Sequence, residues 1–266
     1  MFIFRKLFKD LLEHKDLIYY LTRSNLKANT ARTYMGFLWW ILDPILYMAV
    51  FYLLVQVILQ RGGEHYAVFL FVALIPLKWT ISCLVDSTTA ISSKSSIIQQ
   101  IYVPKIVFVT VRLMINTFKF CIGSVMLFLF LWVYGIPVTL YFNYYLPIAA
   151  VHALFLLGCM LILAHVGVYL KDIKNMMQYI ARMLFYLSPV LYTIEDVLRR
   201  TGSETLVRFL YLNPLTSLIE SYRNVLLLHQ PPLWIYLAVI SCISALLLYI
   251  GLKILYKYEN QYAKVI

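Results

Sequence analysis

Six apolar stretches dominate this chain, at residues 36–59, 66–84, 106–134, 146–170, 176–192 and 234–255. About 20 consecutive apolar residues in helical form cross a hydrocarbon core, so most of these runs are long enough to span a bilayer. A soluble chain would dilute such runs with roughly a quarter charged residues. Here 62% of residues are hydrophobic and only 13% charged. The expected architecture is therefore an all-α integral membrane protein with six transmembrane helices.

The breaks between the runs sharpen that expectation. Pro76, Lys78 and Trp79 interrupt the second run, which predicts a kinked or partly interfacial helix, because proline removes a backbone donor and crowds the preceding turn. A serine-rich stretch after Asp86 leads to a short mixed helix at 95–103 that Pro104 stops, a cytoplasmic connector. Between 193 and 232 lies a long excursion whose apolar piece, 215–228, is 14 residues, too short to cross alone. Re-entrant or interfacial helices between spans five and six are expected there.

Residues 1–35 precede the first span and are polar and basic: seven Lys and Arg residues stand against Asp10, Glu13 and Asp16. Phe8, Leu12, Tyr19 and Leu26 fall near one face of a helix, the pattern of an amphipathic helix lying on a membrane surface. The chain thus divides into an interface helix at 1–35 and a six-span domain at 36–266. No uninterrupted apolar core of a cleavable signal is apparent in the first thirty residues. With the N-terminus inside, 14 of the 23 Lys and Arg residues fall on the cytoplasmic side, five outside and four within spans. This bias toward the inside supports both termini in the cytoplasm. In so apolar a chain, the net charge of +11 points to anionic lipid or anionic substrate rather than nucleic acid.

Ionisable residues inside spans are costly and suggest function by default. Asp43 sits before Pro44 early in the first span, where it can pair across the bundle. Arg112 and Lys119, seven apart in the third span, share a helix face; they either line a cavity that passes phosphate or snorkel to the inner interface. Trp40, Tyr47 and Phe51 form a stripe through the first span, and Tyr179 and Tyr186 another in the fifth; such stripes line a polymer conduit or pack as core. His152 and His165, thirteen apart, do not share a face and suit no common metal site. Cys83, Cys121, Cys159 and Cys242 lack zinc or redox spacing and read as small core residues. No GxxxxGK[ST] loop, HExxH pair or nucleophile with its base is present, so the chain has no ATP site of that kind and no evident catalytic centre.

Three stretches carry a family resemblance. The junction YMGFLWWILDP (34–44), after a basic amphipathic helix, resembles the first-span entry of ABC-2 type permease subunits that export polysaccharides. KDIKNMMQYIARMLFYLSPVLY (171–192) resembles that family's fifth span, with Ser188 and Pro189 near its outer end. LNPLTSLIESYRNVLL (212–227) resembles its most distinctive stretch, with Arg223 nine residues after Pro214. Two departures stand out: a second proline often found after the connector is missing, and Asp43 occupies a position that often holds an amide or glutamate.

The resemblance implies a homodimeric permease in the bacterial cytoplasmic membrane, bound to two ABC ATPase subunits that hold the ATP and magnesium. The cargo it implies is an anionic polymer on an undecaprenyl pyrophosphate lipid, with wall teichoic acid carriers closest and exporters of O-antigen and capsule-type glycans next. On that reading Arg23, Lys27 and Arg32 attract the lipid headgroup, and Trp40, Tyr47, Phe51, Arg112, Lys119, Tyr179 and Tyr186 line the route. Asn213, Pro214 and Arg223 close its outer end, and Ser95, Ile98, Gln99, Tyr102 and Pro104 couple to the ATPase. A competing class, a membrane enzyme acting on lipid-linked sugars, predicts turnover by the purified chain alone; a permease for a drug or small lipid predicts a closed apolar groove.

Overall fold

The computed structural model describes residues 2–31, 34–60, 63 and 65–265. All regular structure among them is helical. Two helices precede the bundle, α1 (Phe2–Glu13) and α2 (Lys15–Ala31), where the sequence suggests one continuous helix. They meet at His14, and Leu7 on α1 and Ile18 on α2 are both buried. An amphipathic segment with two inward faces breaks where one straight helix could not bury both.

The first span begins as a short 3-10 turn at Gly36–Leu38, continues as α3 (Trp39–Tyr52) and ends in π-helical backbone at Leu53–Ile58. It lies on the outside of the bundle: only Pro44, Met48 and Val55 are buried along it. By contrast, α4 (Tyr66–Ser87) is the central helix, with 72% of its apolar window buried. This corrects the expectation of a partly interfacial second span. Pro76 sits within one continuous helix, and the carbonyl of Pro76 accepts from the Thr80 hydroxyl at 3.0 Å. Lys78 lies inside the span because Asp43 of α3 pairs with its ammonium group.

The connector helix α5 (Ser95–Gln100) is shorter than the expected 95–103, because Ile101 is already extended ahead of Pro104. Next come α6 (Ile106–Val133) and α7 (Tyr145–Tyr169), within about a residue of their sequence-expected bounds. The fifth run forms α8 (Ile173–Leu187), of 15 residues. At 1.5 Å per residue it reaches about 22 Å, short of a hydrocarbon core of about 30 Å. Among the described residues five helices are long and apolar enough to cross a membrane, and α8 stops at Ser188, where the chain turns extended before Pro189.

The excursion holds α9 (Ile194–Thr201), α10 (Glu204–Tyr211) and α11 (Pro214–Leu226). Each begins with an oxygen-bearing side chain that accepts from a backbone N–H of the first turn: Thr193, Ser203 and Asn213. Such caps satisfy donors that a helix start leaves orphaned. In α9 the Thr193 hydroxyl also hydrogen-bonds the Asp196 carboxyl and holds it below the usual carboxylate range. α11 is buried against α4 and α7 rather than exposed, as a re-entrant helix requires.

The last helix, α12 (Trp234–Val265), runs well past the apolar stretch and packs along α7. Gly158 and Gly251 permit that approach: a Cβ at Gly158 would meet Leu247 Cβ at 2.8 Å, and one at Gly251 would meet Leu161 Cβ at 2.7 Å. One end of the bundle therefore carries α1, α2, the connector and the tail of α12, here termed the terminal end. The opposite end carries His65 at the start of α4 and the loop after α6, together with α9 and α10.

Candidate functional site

Two lateral cavities flank α3, both built on the face where it leans against α4. The first, about 310 Å³, lies toward α6 and is walled by Trp40 and Asp43 of α3, Lys78 and Trp79 of α4, and Asn116 and Lys119 of α6. Trp40 is fixed by edge contacts to Phe37 (5.3 Å) and Phe118 (6.0 Å). Trp79 stacks on Phe120 with centroids 4.1 Å apart. Lys78 pairs with Asp43 and also lies 4.9 Å from the Tyr47 ring, which stabilises a cation at a face of negative quadrupole. Asn116 donates to Asp86 at 3.0 Å, bracing α6 against α4.

The second cavity, about 460 Å³, lies toward α8 and includes Tyr47, Asp86, Gln178, Arg182, Phe185 and Tyr186. Phe185 anchors it, packing on Phe51 at 4.8 Å and on Tyr47 at 6.0 Å. Of the seven residues expected along a route, Trp40 and Lys119 therefore line the first cavity and Tyr47 and Tyr186 the second. Phe51, Arg112 and Tyr179 line neither. Phe51 is packed against Phe185. Arg112 turns to the Ser93 hydroxyl at 3.3 Å, near the connector, so sharing a helix face with Lys119 does not bring the two to one cavity. Tyr179 is 65% exposed on the outer face of α8, with the Arg182 guanidinium 5.4 Å from its ring.

The far end holds the most elaborate polar cluster. Arg223, only 2% exposed, donates to the carbonyls of Pro189, Val190 (2.9 Å) and Tyr192 (3.4 Å). It also pairs with Glu220 at 3.1 Å and covers the Phe69 ring at 3.5 Å. The extended backbone after α8 leaves carbonyls that no helix satisfies, and a planar guanidinium with five donors suits them. Asn213 donates to Ser188 at 2.9 Å while its oxygen accepts from Leu215 N–H at 3.1 Å, and Pro214 occupies the first helical position. All three residues expected at the outer end thus join α11 to the break at 188–192.

At the terminal end, Arg23 and Lys27 are exposed on α2, and Arg32 lies outside the described residues. In the connector, Ile98 and Pro104 are buried, Ser95 is half-buried, and Gln99 and Tyr102 face outward, Tyr102 at 69% exposure. Sequence reasoning missed Glu259. Its buried carboxylate accepts from Lys105 N–H at 3.3 Å and pairs with Lys6 at 3.7 Å, so it joins three separate parts of the chain. Lys78 was read only as an interruption, yet an opposite charge within each of the first two apolar runs was signal enough to pair it with Asp43. His152 and His165 sit in separate networks, with Thr80 at 2.7 Å and Tyr262 at 2.7 Å.

Helices of this length and apolarity around a buried central helix define a multi-pass α-helical membrane protein. No family model matches the chain. It is similar over 98% of its length to the O-antigen export system permease protein RfbA of Myxococcus xanthus, which it covers to 99% at 25% identity. It is also similar over 94% of its length to two proteins of the same description from Klebsiella pneumoniae, covering 95% of each at 23% and 24% identity. These relatives bear out the resemblance to ABC-2 type polysaccharide-export permeases read from the sequence.

Proposed function

We propose that this chain is the membrane permease subunit of an ATP-driven exporter of a lipid-linked surface polysaccharide, seated in the bacterial cytoplasmic membrane. The observation that carries the reading is the end-to-end match to O-antigen export permeases. Those relatives favour an O-antigen-type glycan as cargo over wall teichoic acid, for which they lend no support.

Other features agree with the reading. The first span and α8 turn apolar and aromatic side chains outward, among them Val50, Val57, Tyr179, Met183 and Tyr186. A patch of that kind suits a second copy of the chain, and two copies enclose a wider path than one. Partner ATPase subunits would hold ATP and magnesium and act through the connector, where the outward Gln99 and Tyr102 offer contacts. Arg23 and Lys27, with Arg32, would draw the anionic headgroup to the inner interface, and both termini would be cytoplasmic.

Removing the gene from a producing cell tests this directly. The polymer is expected to accumulate on its lipid carrier inside the cell and to vanish from the surface. Unchanged surface polymer would refute the proposed role.

A further inference from the structure

We infer that the first span is a strap that lifts off the bundle, latched shut by the Asp43–Lys78 ion pair, and that opening it joins the two lateral cavities into one groove along α4. Of the five spanning helices it is the least embedded: 11% of its apolar window is buried, against 33% in three others and 72% in α4. Ser82 of α4 borders both cavities, so they adjoin beneath α3. Trp40 and Asp43 of α3 wall one of them, and Tyr47 walls the other.

The ties that hold neighbouring helices to α4 differ in kind. α6 is held by Trp79 stacked on Phe120 at 4.1 Å, by Asn116 donating to Asp86 at 3.0 Å and by Gly123 seated against Ile75. α7 is held by the buried pair Thr80 and His152 at 2.7 Å and by the close approach of Gly167 to the Thr88 carbonyl. Among the described residues, Asp43 to Lys78 is the one ion pair or hydrogen bond that joins the first span to the rest of the bundle. Tyr47 reinforces it from the same helix, with its ring 4.9 Å from the Lys78 ammonium. Other contacts of the span are apolar, such as Tyr47 and Phe51 on Phe185. Lipid tails replace contacts of that kind at little cost, because they are as apolar as the side chains they displace. The polar tie therefore decides whether the span stays closed. With the Asp43 side chain 66% exposed, water and ions compete for that tie.

Both ends of the strap have backbone suited to bending. Gly36 enters it at φ +49°, a left-handed conformation that favours glycine. The other end is π-helical at Leu53–Ile58, a rare coil that often marks a functional irregularity in a helix. Within that coil Gln56 keeps a buried side-chain oxygen without a partner, which works against the closed position.

Distances between spin labels in nanodiscs test the strap on the full chain, with its four cysteines replaced by alanine. Val50→Cys on α3 and Leu246→Cys on α12 carry one pair of labels, and Leu129→Cys on α6 with Leu246→Cys the control pair; all three positions are exposed. Dilution with unlabelled chain restricts the signal to pairs within one molecule. Asp43→Asn and Lys78→Gln should each raise the ratio of a longer to a shorter distance in the first pair about tenfold, equal to about 1.4 kcal/mol. Asp43→Lys combined with Lys78→Asp should return most of the shorter distance, and the control pair should hold its distance throughout. Single variants that leave the first pair unchanged overturn the inference. A combined variant as open as the single ones does so too, as does a control pair that shifts alongside, because the ion pair would then hold the fold and not a strap. No ATPase and no polymer enter the measurement, so its failure leaves the exporter reading standing.

Discussion

The hydroxyl of Tyr256 donates to the Asp10 carboxylate at 2.8 Å, joining the first helix to the last across 246 residues of chain. Glu259, one turn further along α12, pairs with Lys6 and accepts from the backbone N–H of Lys105. The tail of α12 therefore fixes α1 and the end of the connector to one another.

Breaking that junction should loosen α1 before it unfolds the bundle. Glu259→Ala leaves the Lys105 N–H buried without its acceptor, a cost of about 1–3 kcal/mol, and Tyr256→Phe should cost less, about 0.5–1.5 kcal/mol. Limited proteolysis in detergent micelles should cut Glu259→Ala within residues 1–31 faster than wild type, with α4 still protected. Equal cleavage rates would show that α1 is held elsewhere.

Arg223 is expected to be the least replaceable cation in the chain. Lysine in its place keeps a charge but not the planar fork that reaches three carbonyls. Arg223→Lys should lower the melting temperature more than Glu220→Gln, since removing Arg223 frees carbonyls as well as a carboxylate. Thermal melts of the two purified variants decide the order.

Close packing separates two glycines that look equivalent in sequence. A Cβ at Gly167 would sit 1.8 Å from the backbone oxygen of Thr88, whereas one at Gly123 would meet the end of the Ile75 side chain at 3.0 Å. A side-chain tip rotates aside and a backbone carbonyl does not. Gly167→Ala should abolish or sharply reduce accumulation in the membrane, while Gly123→Ala should accumulate nearly as wild type; quantitative blots of membrane fractions test the contrast.

The helices legible from sequence were those set by a single strong force. α6 and α7 follow unbroken apolar runs and lie where the runs do. Features set by partners far along the chain were not legible. Pro76, Lys78 and Trp79 look like a break when only their neighbours are weighed, because their partners lie far along the chain: Asp43, 35 residues from Lys78, and Phe120, which stacks on Trp79. Arg112 and Lys119 share a face by helical geometry, yet about two turns of axis separate them, so Arg112 reaches Ser93 while Lys119 reaches the cavity. The split at His14 and the tie at Glu259 depend on where α1 meets α12, which no local pattern encodes. Asp43 fared better, because a charge within an apolar setting announces that it needs a partner.

The most direct test of the exporter account is purification of the tagged chain from a native membrane in mild detergent, with mass spectrometry of the intact complex. The account predicts two copies of this chain with two copies of an ABC ATPase, whose hydrolysis rises when the lipid-linked polymer is added. A stable lone chain that turns over lipid-linked sugars without ATP would contradict it.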